Sequence, residues 1–304
     1  MARALAAGAC AAAAATVFSN PFDVVKTRMQ LQGELGAKTG GAAYSSPISG
    51  LRQIFAEGGM RGVQAGLAPA IMFQVAMNGV RLGSFPYLSE GFQDMLGVRD
   101  ADAEGGTAST EAAKLTARLG AGMTAGVLGA CIAQPFYLVK SRLQSAATGS
   151  FRAVQSYDYK GPMDGLARIV RDDGGFAALF RGWDAAALRL GAGSAAQLTS
   201  YVMFKERVAE FGFSGLPLHA IASAGASMVV TACMTPFDVV STRYMQSTKG
   251  SGRYSSPLDC FVKTARAEGA RGLWKGAGAL YLRLAPHTIL TLTFLEQFRI
   301  LFDA

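Results

Sequence analysis

The chain has 304 residues, 50% hydrophobic and 16% charged, with mean hydropathy +0.24 and net charge +8. A soluble globular domain carries about 25% charged residues, so the composition favours a membrane protein over a two-domain soluble one. The positive excess suits anionic lipid, an anionic solute or nucleic acid; basic residues scattered through apolar sequence argue against the last.

Residues 4–19 are almost wholly Ala, Gly, Val and Phe, and Met1–Asn20 is read as a first spanning helix rather than a removed leader. The string "NPFDVVKTRMQLQ" (20–32) continues it. Pro21, inside an apolar helix, removes one backbone hydrogen bond and kinks the chain. Asp23, Lys26 and Gln30, spaced three and then four apart, share one face. A loop leads to "YSSP" at Tyr44, which opens a short amphipathic helix, and "RGVQAG" ends at Gly66. Residues 67–85 are apolar with polar residues recurring on one side, the pattern of a helix lining a water-filled cavity. Phe73 stands seven beyond Gly66; Gln74, Asn78 and Arg81 follow at i, i+4, i+7 spacing. Arg81 lies roughly 12 Å along the helix from Phe73. The loosest linker is "GVRDADAEGGTAST" (97–110).

The same order then recurs twice. Residues 119–133 are apolar and run into "QPFYLVKSRLQ" (134–144), with Pro135, Tyr137, Lys140 and Gln144; "YKGP", a short helix and "ALFRG" end at Gly182. Residues 220–234 run into "TPFDVVSTRYMQ" (235–246), with Pro236, Asp238 and Ser241; "YSSP", a short helix and "RGLWKG" end at Gly276. Small residues four apart precede each proline, Gly8 and Ala12, Gly122 and Gly126, Ser223 and Ser227, a spacing that lets helices approach closely in lipid. Seven residues beyond Gly182 and Gly276 stand Arg189 and Arg283, level with Phe73. An arginine at mid-membrane costs about 2.5–3.5 kcal/mol and marks a solute path. Gripped between two guanidiniums, with amides beside them, a small carboxylate or sulfate dianion fits better than a nucleotide. His287, beside Pro286, is expected to be a packed histidine. The two histidines, His219 and His287, form no nucleophile–base set, and no phosphate-cradling motif is present, so an enzyme is not indicated. Cys10, Cys131, Cys233 and Cys260 have no metal or disulfide spacing and are expected to be small apolar fillers.

Repeats at this period organise the whole chain: one domain, 1–304, made of units 1–110, 111–213 and 214–304. An even number of spans in each unit makes the copies parallel about an axis along the membrane normal. Pro-x-acid-x-x-base followed by an acid-Gly…aromatic-basic-Gly segment, three times over the chain, resembles the mitochondrial carrier family. The resemblance implies an all-α membrane protein, a six-helix barrel with pseudo-threefold symmetry and short matrix-side amphipathic helices. Such a carrier would be multi-pass in the mitochondrial inner membrane, working as a monomer by alternating access and antiport. "RLAPHTILTLTFLEQ", "AAQLTSY" and "NGVRLG" resemble its keto-acid/dicarboxylate branch, and Tyr137 and Ser241, with Gln74 and Asn78, resemble the oxaloacetate/sulfate type within it.

That resemblance implies substrate contacts at Arg189 and Arg283 and a matrix gate in which Asp23 pairs with Lys140 and Asp238 with Lys26. Gln30 and Gln144 would brace it, while the third copy has Met245 there and Gln246 one place late. The third bridge would join positions 137 and 241, which hold Tyr137 and Ser241. The two missing charges are thus partners, and replacing both costs less than the roughly 3–5 kcal/mol of orphaning one; a neutral Tyr–Ser hydrogen bond is expected in their place. Arg28, Arg142 and Arg243 are expected to face matrix water or lipid phosphate. A cytoplasmic gate would keep Lys205, Glu296 and Arg299, with Pro86, Ser89 and Val202 at positions that lost their charges. "RGVQAG" departs from the family's aromatic-basic pair. The expected partners are a small anionic metabolite and membrane lipids; no cofactor is implied beyond structural cardiolipin. Two rival readings share the pattern, an uncoupling-protein-like anion or proton conductor and a non-transporting scaffold on a carrier fold.

Overall fold

A computed structural model describes residues 2–34, 44–97, 108–145, 157, 159–247 and 253–303. Among them there is no strand. The order is long, short, long helix, three times over: α1 (Ala2–Leu31), α2 (Pro47–Val63), α3 (Leu67–Met95); α4 (Ala108–Ser145), α5 (Pro162–Asp172), α6 (Trp183–Glu210); α7 (Gly215–Gln246), α8 (Pro257–Leu273), α9 (Ala277–Asp303). A 3-10 turn, Phe176–Phe180, follows α5.

Each Tyr-x-x-Pro string opens a short helix, because it supplies a proline at the first turn, where no N–H is missed, and in the first and third copies a capping serine. Ser46 caps α2 reciprocally with Ser49, and Ser256 caps α8 through the Asp259 amide. At α5 Gly161 has no side chain to cap with; the Asp164 carboxylate instead accepts from the Lys160 amide at 2.9 Å. Gly66 and Gly276 begin α3 and α9 with φ of +68° and +79°. A β-carbon at Gly66 would meet the Lys140 carbonyl oxygen at 3.1 Å, and one at Gly276 the Lys26 carbonyl oxygen at 3.3 Å. Only glycine allows both the left-handed backbone and this approach.

The packing order closes on itself: α1 lies against α9 and α3, α3 against α4, α4 against α6, α6 against α7, and α7 against α9. Close contact between α3 and α4 falls at Gly129, where a β-carbon would sit 2.7 Å from the Met77 carbonyl oxygen, whereas Gly126 faces open space. The approach is therefore displaced from the expected Gly122 and Gly126. Three apolar clusters pin the short helices to the preceding long ones, around Val25 and Ile54, Val139 and Ile169, and Val240 and Cys260. Cys260 is the buried filler expected, but Cys10 and Cys233 are exposed.

Among the described residues, the stretches Ala113–Ser145 and Ile221–Gln246 are long and apolar enough to cross a membrane, and α2 with α3, bent by 57°, qualifies if taken as one span. Polar and charged residues of α1, α4, α6, α7 and α9 meet between these helices.

Candidate functional site

The site begins with three prolines. Pro21, Pro135 and Pro236 lie inside α1, α4 and α7, and each denies a hydrogen bond to the carbonyl four residues before it. The Val17 carbonyl freed by Pro21 accepts from Gln64 Nε2 at 3.1 Å, and the Ala232 carbonyl freed by Pro236 accepts from Trp274 Nε1 at 3.0 Å. Gln64 and Trp274 hold corresponding places in sequence, two residues before Gly66 and Gly276. The departure in "RGVQAG" therefore keeps the one feature this contact needs, a side-chain N–H; Phe180, in the middle copy, has none.

One turn beyond the prolines, the acid and base faces of α1, α4 and α7 converge. Lys140 Nζ lies 2.7 Å from Asp23 Oδ2, and Lys26 Nζ lies 2.8 Å from Asp238 Oδ2, with all four side chains buried. Gln30 donates to Asp238 at 2.8 Å and accepts from Thr242 at 2.9 Å. Gln144 donates to Asn20 Oδ1 at 2.9 Å and accepts from Thr27 at 3.3 Å, so it ties α4 to α1 without touching the ion pair. Gln246 donates to Ser141 and accepts from Ser145, which ties α7 to α4 from its displaced position.

The Tyr137–Ser241 hydrogen bond expected at the third corner is not made among the described residues. Ser241 Oγ lies against Met245 Sδ at 4.0 Å, and the Tyr137 ring packs on Phe73 at 5.1 Å. Met245, in place of a glutamine, fills this corner with apolar bulk, so neither polar group is drawn toward the other.

The two arginines stand over the carboxylates. Arg283 Nε lies 3.1 Å from Asp23 Oδ1, and Arg189 Nε lies 3.8 Å from Asp238 Oδ1, where neither atom has a hydrogen-bond partner among the described residues. Arg189 also lies over the Tyr137 ring, 5.1 Å from its centre. The cluster thus holds four cations, Lys26, Lys140, Arg189 and Arg283, against two carboxylates, Asp23 and Asp238.

The amides are arranged less simply than their spacing implies. Gln74 Nε2 lies 3.0 Å from His287 Nε2, and Asn78 turns back to donate to the Gln74 carbonyl at 3.0 Å. His287 Nδ1 in turn lies 3.1 Å from Ser19 Oγ. His287 therefore clips α1 and α3 to α9. Arg81 is exposed.

Arg28, Arg142 and Arg243 correct the expectation of water or lipid contact, since all three are fully buried. Arg28 Nε donates to the Gln144 carbonyl; Arg142 pairs with Asp173 at 2.5 Å and Tyr159 at 3.0 Å; Arg243 forks onto Glu268 at 2.6 and 2.9 Å. The partners of Arg142 and Arg243 come from the short helices and the segments beside them, which fold back over the helix ends, and Arg28 reaches the end of α4. Beside Arg243, burial tends to raise the Glu268 carboxyl, but Arg243 and Lys275 outweigh it and hold it below its usual value. Burial dominates at Glu34 and raises its carboxyl, even though Tyr254 donates to it at 2.8 Å. At the other end Lys205 and Val202 are exposed and Ser89 accepts from Gln93. The side chains of Glu296 and Arg299 lie outside the described residues.

A family model described as mitochondrial carrier protein matches residues 1–96, 111–211 and 214–304. The chain is 38% identical to a mitochondrial oxaloacetate transport protein of Saccharomyces cerevisiae, over 96% of this chain and 87% of that one. It is 37% identical to human solute carrier family 25 member 35, over 96% of each chain, and 37% identical to a mitochondrial 2-oxoglutarate/malate carrier protein of Sus scrofa, over 93% and 80%. The chain belongs to the mitochondrial carrier family, whose members are transporters and not enzymes.

Proposed function

We propose that this protein is an alternating-access antiporter of small dianions, of the oxaloacetate, malate, malonate or sulfate class, across the mitochondrial inner membrane. The observation that carries the reading is the surplus of two positive charges in the buried cluster. A surplus of buried charge is expensive until a counter-charge meets it. The surplus pair are arginines, whose planar forks suit carboxylate and sulfate oxygens. Relatives named for oxaloacetate and for 2-oxoglutarate/malate agree with that class.

In this reading the three units are repeats of one six-span barrel. The pairs Lys140–Asp23 and Lys26–Asp238 form a closed matrix gate, so the cavity is open to the cytoplasmic side. A dianion held by Arg189 and Arg283 brings two negative charges beside Asp23 and Asp238 and competes with them for Lys26 and Lys140, so binding and opening are coupled. Lys205, Glu296 and Arg299 would close the opposite end in the alternate state. The test is uptake of labelled oxaloacetate, malate, sulfate, oxoglutarate and ATP into liposomes preloaded with each compound. Dicarboxylates or sulfate should exchange and ATP should not. Good ATP exchange without any dicarboxylate or sulfate exchange would contradict the proposal.

A further inference from the structure

Position 137 stands where the other two copies carry Asp23 and Asp238, and its side chain meets a cation without cancelling it. The Arg189 guanidinium carbon lies 5.1 Å from the centre of the Tyr137 ring, with Lys140 Nζ at 5.9 Å. Phe73 backs the ring at 5.1 Å and 49°, and Ser241 is turned away toward Met245. A cation over an aromatic ring is held by the ring's quadrupole and keeps its full charge, whereas a carboxylate at this position would neutralise it. A lysine in place of Ser241, one turn from Asp238, would compete with Arg189 for that carboxylate. Both departures from the repeat therefore leave Arg189 positioned, with a shared carboxylate 3.8 Å away as its counter-charge.

We propose that Tyr137 is a positioning and specificity-determining residue: its ring seats Arg189 with only a long contact to the shared Asp238 carboxylate and so sets a preference for dianions over monoanions. This rests on the dianion reading above. With an acid at 137 the surplus falls from two charges to one.

The experiment compares the reconstituted full chain with Y137F, Y137L and Y137E, measuring KM and kcat for labelled malate and uptake of labelled pyruvate. Thermal unfolding in detergent establishes that each variant is folded. Y137L should raise the malate KM about threefold to thirtyfold, the span of a lost cation–π contact, with a smaller change in kcat. Y137F should recover most of that affinity, and Y137E should shift the malate-to-pyruvate preference toward pyruvate. A malate KM unchanged in Y137L, or Y137F as impaired as Y137L, would overturn the assignment even if Y137E fails to fold. Wild-type protein that takes up no dianion overturns both proposals; wild-type exchange with a flat Tyr137 series overturns only this one.

Discussion

Asp23 and Asp238 each answer to one lysine and one arginine, which makes the members of each group unequal. Removing Asp23 strands both Lys140 and Arg283, whereas removing Lys140 leaves Asp23 with Arg283 still 3.1 Å away. Asp23→Leu should therefore cost about 3–5 kcal/mol, and Lys140→Met distinctly less. Thermal unfolding in detergent ranks the two, and the reverse order would refute the shared-carboxylate account. Two glutamates near Arg243 make a second contrast. Glu268, held low by Arg243 and Lys275, contributes stability above the ordinary carboxylate range that is lost as pH falls through its lowered value. Glu34, raised by burial, is favoured in its protonated form, so its ionisation costs stability as pH rises through its raised value. At neutral pH Glu268→Gln should lower the melting temperature, while Glu34→Gln should leave it unchanged or raise it; loss of stability in both variants would contradict the assignment.

At the scale of elements, the prolines and the ends of the loops that return to them form one device. Gln64→Leu or Trp274→Phe should leave a proline-freed carbonyl without its donor, at about 1 kcal/mol each, seen as a lower melting temperature than in wild type. The helices themselves were legible in the sequence: apolar runs, capping strings and glycines at fixed distances follow from local physics. Which helix neighbours which was not, since nothing in the spacing of Asp23 and Lys26 says whose lysine each acid meets; that needed the resemblance. Arg28, Arg142 and Arg243 were not legible because their partners come from a neighbouring long helix or from segments that fold back over them, and a face polar in sequence can be capped by protein. Gln64 looked like a defect for a related reason. The requirement is a donor at one carbonyl, and residue type alone hides that glutamine and tryptophan both supply it. His287 belongs here too, as a clip across α1, α3 and α9 that pattern reading could only place beside a proline.

For the whole molecule, helices that pack in a closed order carry their polar faces to one centre, and the charges there do not cancel. A bundle stabilised only for its own sake would gain by fully pairing or losing Arg189 and Arg283, because a surplus of cations sharing two carboxylates away from water is costly. Their retention makes sense if an anion completes the set. The most direct measurement is exchange of labelled malate or sulfate by reconstituted wild-type, Arg189→Ala and Arg283→Ala proteins, each shown to be folded by thermal unfolding. The account predicts exchange by wild type and its loss in both variants without loss of the fold; exchange at wild-type rates after removal of either arginine would contradict it.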